Sequence, residues 1–170
     1  LSFDMGGTTA KICFIGGGHP EQSRKFEVAR VWRNLKGSGL PLRIPVTEMV
    51  EIGAGGGSIA RLDELKRIQV GPASAGAEPG PACYGRGGGE PTVTDANVVL
   101  GRVDPVAFAG GTIQLDFKKA RSTILAHIGT PLGMDAAWAA AGIGEIVEEN
   151  MASAARVHAI ERGKVAERCT

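Results

Sequence analysis

The residues best equipped for chemistry stand near the start of the chain, where Asp4 precedes Gly6-Gly7-Thr8-Thr9 between two apolar segments. Paired glycines in a tight turn let backbone N–H groups approach an anion with no Cβ in the way, and the threonine hydroxyls add donors. Asp4, just upstream, is placed to hold a metal through water or to orient an attacking water. A plain β-turn whose aspartate bonds its own backbone accounts for the same residues. Spacing alone therefore leaves phosphate binding and simple turn formation both open. A second glycine cluster, Gly53-Ala54-Gly55-Gly56-Gly57-Ser58, is not a dinucleotide fingerprint, because Ser58 occupies the sixth position, and is not a Walker A loop, because no lysine follows. It reads either as another flexible cradle or as a tight crossing against neighbouring backbone.

The other chemically capable residues lie in the long run Gly71–Asn97. Its first part, Gly71 to Pro91, holds seven glycines and four prolines. That composition predicts neither helix nor strand, since glycine loses too much backbone entropy and proline lacks the amide donor. The run also carries few charges for a solvated linker. It is expected to be an ordered loop packed against something, with Ser74, Cys83, Tyr84 and Arg86 as its candidates for substrate contact. A nucleophilic Cys83 needs a base beside it, and His19, His127 and His158 are all distant in sequence; a packed small side chain is the competing reading. His158 and Glu161 have the i, i+3 spacing of helical metal ligands or of a surface ion pair, and no HExxH pattern exists.

These candidates need a scaffold, and composition bounds it. A chain of 170 residues with 43% hydrophobic and 22% charged residues is long enough for one domain with a substantial core. Its 26 glycines and 5% aromatics predict a core of Ala, Val, Ile and Leu with many close backbone contacts. A formal net charge of +1 gives no electrostatic reason to expect a nucleic acid or an anionic membrane as partner. No apolar run approaches the ~20 residues that span a bilayer. Three cysteines without CxxC spacing argue against a disulfide framework or structural zinc, so a cytoplasmic setting is expected. The abrupt ends, LSFDMGG and GKVAERCT, suggest a piece of a longer polypeptide.

Pattern places the elements. Leu1–Met5 and Ala10–Ile15 read as the strands of a hairpin around the Gly-Gly-Thr turn. Lys25–Arg33 reads as a half-buried strand, Asn34–Leu42 as a loop, and Ile44–Ile52 as strand or short helix broken near Pro45. Ser58–Leu62 and Lys66–Val70 read as a hairpin around Asp63-Glu64. Thr94 is the expected N-cap of a short helix, with Asp95 in its first turn. Asp116 is expected to cap an amphipathic helix over Phe117–Ile128, and Asp135 a long one over Ala136–Arg162 that Gly163 stops. That long helix is expected to face the core along Ile143, Ile146, Val147, Met151, Ala154 and Val157. The order is strand-rich over 1–70, a Gly/Pro loop over 71–93, and helical over 94–170, which suits α/β or α+β.

The segments SFDMGGTTAKICFI, IGAGGGSIA and GPASAGAEPGPACYGRGGGEPTVTDANVVLGRVDP together resemble the hydantoinase A/oxoprolinase family, in matching order and spacing over nearly the whole chain. That family includes ATP-dependent 5-oxoprolinases, N-methylhydantoinase subunits and related subunits of acetone and acetophenone carboxylases. The resemblance implies an α/β fold: part of a ribonuclease-H-like lobe of the actin-like ATPase type, with residues 1–170 a fragment of a single domain. It implies that Asp4-Met5-Gly6-Gly7-Thr8 is the family's second phosphate motif. Asp4 is then catalytic and holds Mg²⁺ through water, while Gly6, Gly7, Thr8 and Thr9 bind ATP. Many members continue this turn as Ser-Thr-Asp. Here it reads Thr9-Ala10-Lys11, which removes an acid and offers Lys11 as a direct phosphate contact. The implied reaction is hydrolysis of a cyclic amide of hydantoin or 5-oxoproline type, activated by phosphoryl transfer from ATP, alongside a hydantoinase B-like partner subunit or domain. The alternatives are the ATP-using subunit of an acetone or acetophenone carboxylase, and a catalytically inert structural fragment.

Overall fold

In the computed structural model, which describes residues 1–29, 31–32, 37–165 and 168–169, the strands come first and the helices later, as expected. β1 (Ser2–Met5) and β2 (Ala10–Cys13) form an antiparallel hairpin with Asp4 opposite Lys11 and Met5 opposite Ala10. Six short strands follow: β3 (Ile15–Gly16), β4 (His19–Pro20), β5 (Gln22–Ser23), β6 (Phe26–Val28), β7 (Leu40–Leu42) and β8 (Val46–Thr47). They pair as small antiparallel ribbons, β3 with β4, β5 with β8, and β6 with β7 nested inside the latter pair. β9 (Met49–Ile52) returns to the free side of β2, giving the sheet order β1-β2-β9.

The period of two along these strands sorts their side chains. Ala10 and Ile12 are fully buried, whereas Lys11 between them is exposed. Register then sets Asp4, Lys11 and Glu51 side by side across the exposed face. β10 (Ser58–Leu62) and β11 (Ile68–Ser74) make the expected hairpin around Asp63, whose carboxylate accepts from the backbone N–H groups of Leu65 and Arg67 at 2.9 and 2.8 Å.

Several expectations need correction. The strand predicted over Lys25–Arg33 shrinks to β6, because Ala29 takes a left-handed conformation (φ 51°) and ends the ladder; Arg30 and Arg33 lie outside the described residues. The end of the predicted loop, Leu40–Leu42, is strand β7 despite Pro41, on a two-stranded ribbon where a missing donor is tolerated. Its start, Asn34–Lys36, lies outside the described residues. Of Ile44–Ile52, β8 and β9 flank Glu48, and Ile44 and Pro45 lie outside any strand. The first four residues of the Gly71–Pro91 run belong to β11, where Gly71 and Pro72 do not stop the ladder. Every named strand pair is antiparallel.

The helices pack against β9, β10 and β11. α1 (Val93–Val99) is followed by α2 (Phe117–Ile124), which opens into a π-helical turn over Leu125–Gly129 and the short α3 (Thr130–Leu132). The predicted helix over Phe117–Ile128 thus loses its regular i→i−4 bonding in its last turn. α4 (Ala136–Glu161) is the longest element. Asp116 and Asp135 cap α2 and α4 as expected, accepting from the N–H groups of Lys119 and Trp138 at 2.9 and 2.8 Å. Gly163, at φ 62°, ends α4.

The core joins Ala60 of β10, Val93 and Ala96 of α1, Ile124 and Ile128 of the α2 segment, and Ala139, Ala140, Ile143 and Val147 of α4. Each large aliphatic group buried there contributes roughly 1.5–3 kcal/mol. The predicted core face of α4 departs at Ile146 and Val157, which are exposed, while His158 and Ala159 are buried; Phe14 stacks on the His158 ring at a centroid distance of 5.3 Å. The expected surface setting of His158 is thereby corrected: the ring is buried, with the Glu161 charge still acting on it. A second cluster gathers Cys83, Val98, Leu115 and Ala120.

Candidate functional site

The turn between β1 and β2 is exposed from Gly6 to Thr8 and half-buried at Thr9. It closes on a hydrogen bond from Gly6 N–H to Thr9 O at 2.9 Å. The second glycine cluster packs directly against it. Gly56 N–H donates to Gly6 O at 3.0 Å and Gly57 N–H donates to Gly7 O at 2.6 Å. A Cβ on Gly55 would stand 2.6 Å from the Thr8 nitrogen and 2.7 Å from the Gly7 and Thr8 carbonyl carbons. Of the two readings open for this cluster, the tight crossing is the observed one. Glycine is required there because backbone meets backbone.

This crossing determines where the turn's donors point. A peptide unit is planar and trans, so its N–H and C=O project in opposite directions. Holding Gly6 O on Gly56 fixes the Gly6–Gly7 peptide plane and sends Gly7 N–H away from the brace. Holding Gly7 O on Gly57 does the same for Thr8 N–H. Neither of these two amides has a hydrogen-bond acceptor among the described residues. Beside them stand the Thr8 and Thr9 hydroxyls, and a Cβ placed on Gly7 would meet no atom within 4 Å. Two unpaired amides, the one on Gly7 beside open space, suit an anion such as a phosphate, as in backbone nests.

The brace is itself held from behind. Thr94 N–H and Thr94 Oγ1 both donate to Gly56 O, at 2.7 and 2.8 Å, and Ala75 N–H donates to Gly57 O at 2.8 Å. Gly55 N–H donates to Ser58 Oγ at 2.9 Å. Ser74 is half-buried beside the brace, and its Oγ would lie 2.9 Å from a Cβ on Gly57; that oxygen accepts from Gly76 N–H at 3.2 Å.

Asp4 and Lys11 project from the hairpin that carries the turn, with Glu51 next to Lys11 on β9. Lys11 is thus flanked by two carboxylates in the ladder. Among the described residues no three His, Cys, Asp or Glu side chains converge as a metal site. Asp4 contributes a single carboxylate.

The rest of the long loop is ordered and folded on itself. A Cβ on Gly88 would fall 2.2 Å from Gly80 O. Asp95, fully buried, anchors it: its carboxylate accepts from Cys83 N–H at 2.7 Å, Thr92 N–H at 2.9 Å, Thr92 Oγ1 at 2.8 Å and Ala82 N–H at 3.2 Å. The N-cap of α1 is Thr92, not Thr94 as expected, and Thr92 with Asp95 forms a reciprocal capping box. The pattern Thr92-x-x-Asp95 was available in the sequence as that signal. The role of Asp95 toward Ala82 and Cys83 was not, since it joins positions 12 and 13 apart through a loop without periodicity.

Cys83 lies in the second core cluster and is fully buried. Burial, and then the neighbouring Asp95 carboxylate, push its thiol far above the ordinary range, so no thiolate is available for attack. The packed reading is the observed one. Tyr84 is half-buried, tilted against Phe108 at 5.9 Å, and burial raises its hydroxyl. Arg86 is exposed with its guanidinium 6.0 Å from the Tyr84 ring centroid. Of the loop candidates, the structure brings Ser74 to the brace of the turn and places Cys83, Tyr84 and Arg86 around the second cluster.

The family model for hydantoinase/oxoprolinase matches residues 1–170. The α subunit of a caprolactamase from Pseudomonas jessenii is 43% identical over 163 residues, covering 96% of this chain and 22% of that protein. The crystal structure of that ATP-dependent caprolactamase superposes with a TM-score of 0.78 over 94% of this chain and 22% of its own, at 42% identity. The γ subunit of acetophenone carboxylase from Aromatoleum aromaticum is 47% identical over 123 residues, covering 72% of this chain and 17% of the relative. Acetone carboxylase in its nucleotide-free form, from a study of ATP-dependent acetone carboxylation, superposes with a TM-score of 0.79 at 30% identity, over 95% of this chain and 22% of that chain. The chain thus spans about a fifth of the length of these relatives.

Proposed function

The chain belongs to the hydantoinase/oxoprolinase family, and from that premise we propose that it carries a phosphate-binding turn of an ATP-dependent cyclic-amide hydrolase. The observation that carries this reading is the pair of unpaired, brace-aimed amides of Gly7 and Thr8. ATP would supply phosphoryl transfer to the amide oxygen, which turns a poor electrophile into one that water can open. This chain's part is positioning and charge stabilisation. The Gly7 and Thr8 amides and the Thr8 and Thr9 hydroxyls hold phosphate oxygens, Gly6 closes the turn, and Lys11 adds a positive charge from β2. Asp4 would hold a Mg²⁺ through water; as a lone carboxylate it fits that outer role and not a direct cage.

In this reading residues 1–170 form part of one ribonuclease-H-like lobe of the actin-like type, within a single hydantoinase/oxoprolinase domain. Ser74, next to the brace, is the loop residue best placed for substrate contact. The naming of relatives as α and γ subunits supports a partner subunit. A second reading, the ATP-using subunit of a ketone carboxylase, is favoured by the 47% identity to acetophenone carboxylase γ. It uses the same turn.

The test is made on the full-length polypeptide, with any partner subunit present. Incubation with ATP and a panel of lactams and hydantoins should release ADP and ring-opened product. Asp4→Asn should cut turnover by roughly 100-fold while leaving the melting temperature in place. Turnover that demands bicarbonate and a ketone moves the assignment to the carboxylase, and absence of ATP turnover with every amide and ketone refutes both.

A further inference from the structure

We infer that Thr94 is a positioning residue for the phosphate-binding turn, acting through the Gly56–Gly57 peptide, so that the start of α1 sets the direction of the Thr8 amide, 86 positions earlier in the chain. The inference rests on the functional reading of the turn given above. Its geometry stands independently of that reading.

The helix does not use the Thr94 hydroxyl. Thr92 is the N-cap and Asp95 completes the capping box, so the first-turn donors that a cap can satisfy are already served. Thr94, between them in the first turn, directs both of its donors out of the helix and onto one acceptor, Gly56 O, at 2.7 and 2.8 Å. A carbonyl has two lone pairs, and here both are occupied by one residue. Gly56 O belongs to the Gly56–Gly57 peptide, so that plane is fixed at its oxygen and its N–H, carried by Gly57, is delivered to Gly7 O at 2.6 Å. Fixing Gly7 O orients Thr8 N–H, because the two belong to one planar unit. The line therefore runs from Thr94 through the Gly56–Gly57 peptide to Gly7 O and ends at the free Thr8 amide.

The site leaves little room for substitutes. Thr94 is nine-tenths buried, and its Oγ1 sits 2.8 Å from where a Cβ on Gly56 would stand. Water entry to replace a lost hydroxyl would require the brace to move. The neighbouring buried carboxylate of Asp95 fixes the same helical turn from its other side, so Thr94 is carried by a rigid base. Removing the hydroxyl leaves Gly56 O on a single bond and frees the Gly56–Gly57 peptide, and with it the Gly7–Thr8 peptide, to tilt.

The test uses Thr94→Val, which keeps shape and removes the hydroxyl donor, and Thr94→Ser, which keeps the donor, both in the full-length protein. Amide hydrogen exchange is read first, without nucleotide. Thr94→Val is expected to raise exchange at Gly56 and Gly57 by 10-fold or more, while α4 stays protected and Thr94→Ser matches wild type. ATP titration follows: Thr94→Val should raise the KM for ATP about 10-fold and leave the KM for the amide substrate within 2-fold, and Thr94→Ser should match wild type in both. Unchanged protection at Gly56 and Gly57 in Thr94→Val overturns the inference. So does equal loss of protection across the whole chain, seen again in Thr94→Ser, which would make Thr94 a general folding residue. If wild type binds no ATP, the functional reading fails and the exchange result still decides the positioning role.

Discussion

Replacing Gly55 by alanine tests the contact on which the site geometry depends. The added Cβ would meet the Thr8 nitrogen at 2.6 Å and the carbonyl carbons of Gly7 and Thr8 at 2.7 Å. All three are backbone atoms, so no side-chain rotation relieves them. Reaching ordinary van der Waals separation of 3.4 Å requires the two turns to part by about 0.8 Å. A shift of that size would carry the Gly56–Gly6 bond, now 3.0 Å, out of hydrogen-bonding range. Overpacking of this kind costs about 1–3 kcal/mol, and displacement of a positioning group by nearly 1 Å lowers turnover by up to ~100-fold. Gly7→Ala provides the contrast, since its Cβ would meet no protein atom within 4 Å. That variant should keep its stability within about 0.5 kcal/mol yet weaken ATP, because the methyl enters the space offered to the anion. Thermal melts and ATP-dependent turnover of the two full-length variants decide the matter. Wild-type melting and turnover in Gly55→Ala would refute the crossing, and wild-type ATP affinity in Gly7→Ala would remove the anion from the turn.

Two further outcomes follow from buried polar groups. Asp95→Ala would leave the N–H groups of Ala82, Cys83 and Thr92 without their acceptor in a buried setting; at about 1–3 kcal/mol for each orphaned donor, the loss should exceed about 3 kcal/mol, and a denaturant midpoint unchanged from wild type would contradict the anchoring role. His158 is held below its ordinary pKa, chiefly by burial, so the unfolded state takes up the proton first as pH falls. Its contribution is complete above about pH 6.5, the unfolded value, and is lost progressively as pH drops from there toward the lowered folded value. Melting temperatures of wild type and His158→Gln between pH 7.5 and 5.5 should converge on acidification, and curves that stay parallel would contradict it.

The local elements were legible because their causes are local. Alternation around Ile12 marks a strand whose neighbours Ala10 and Lys11 must face opposite ways, and Asp116 and Asp135 announce helix starts through bonds three residues long. The Gly-Gly-Thr-Thr turn was legible as a turn because paired glycines between two apolar strands call for one, and the order of motifs sufficed to indicate the family. Misreadings arose where two local signals competed. Thr92 and Thr94 both suit a cap, and the choice fell to Asp95, which needs an acceptor role at Thr92 and at Ala82 and Cys83 together.

What the tertiary structure decided lies in contacts between distant parts of the chain. Nothing in the composition of Gly53–Ser58 distinguishes a second cradle from a brace; only its seating on Gly6 and Gly7, some 50 positions away, does so. The same holds for Cys83, whose thiol is silenced by packing against α1 and α2, and for His158, buried against Phe14. Periodicity records which face of an element is apolar, because a side chain's direction repeats with the backbone. It carries no record of which other backbone will lie against that face, and it is that approach which aims the amides of Gly7 and Thr8.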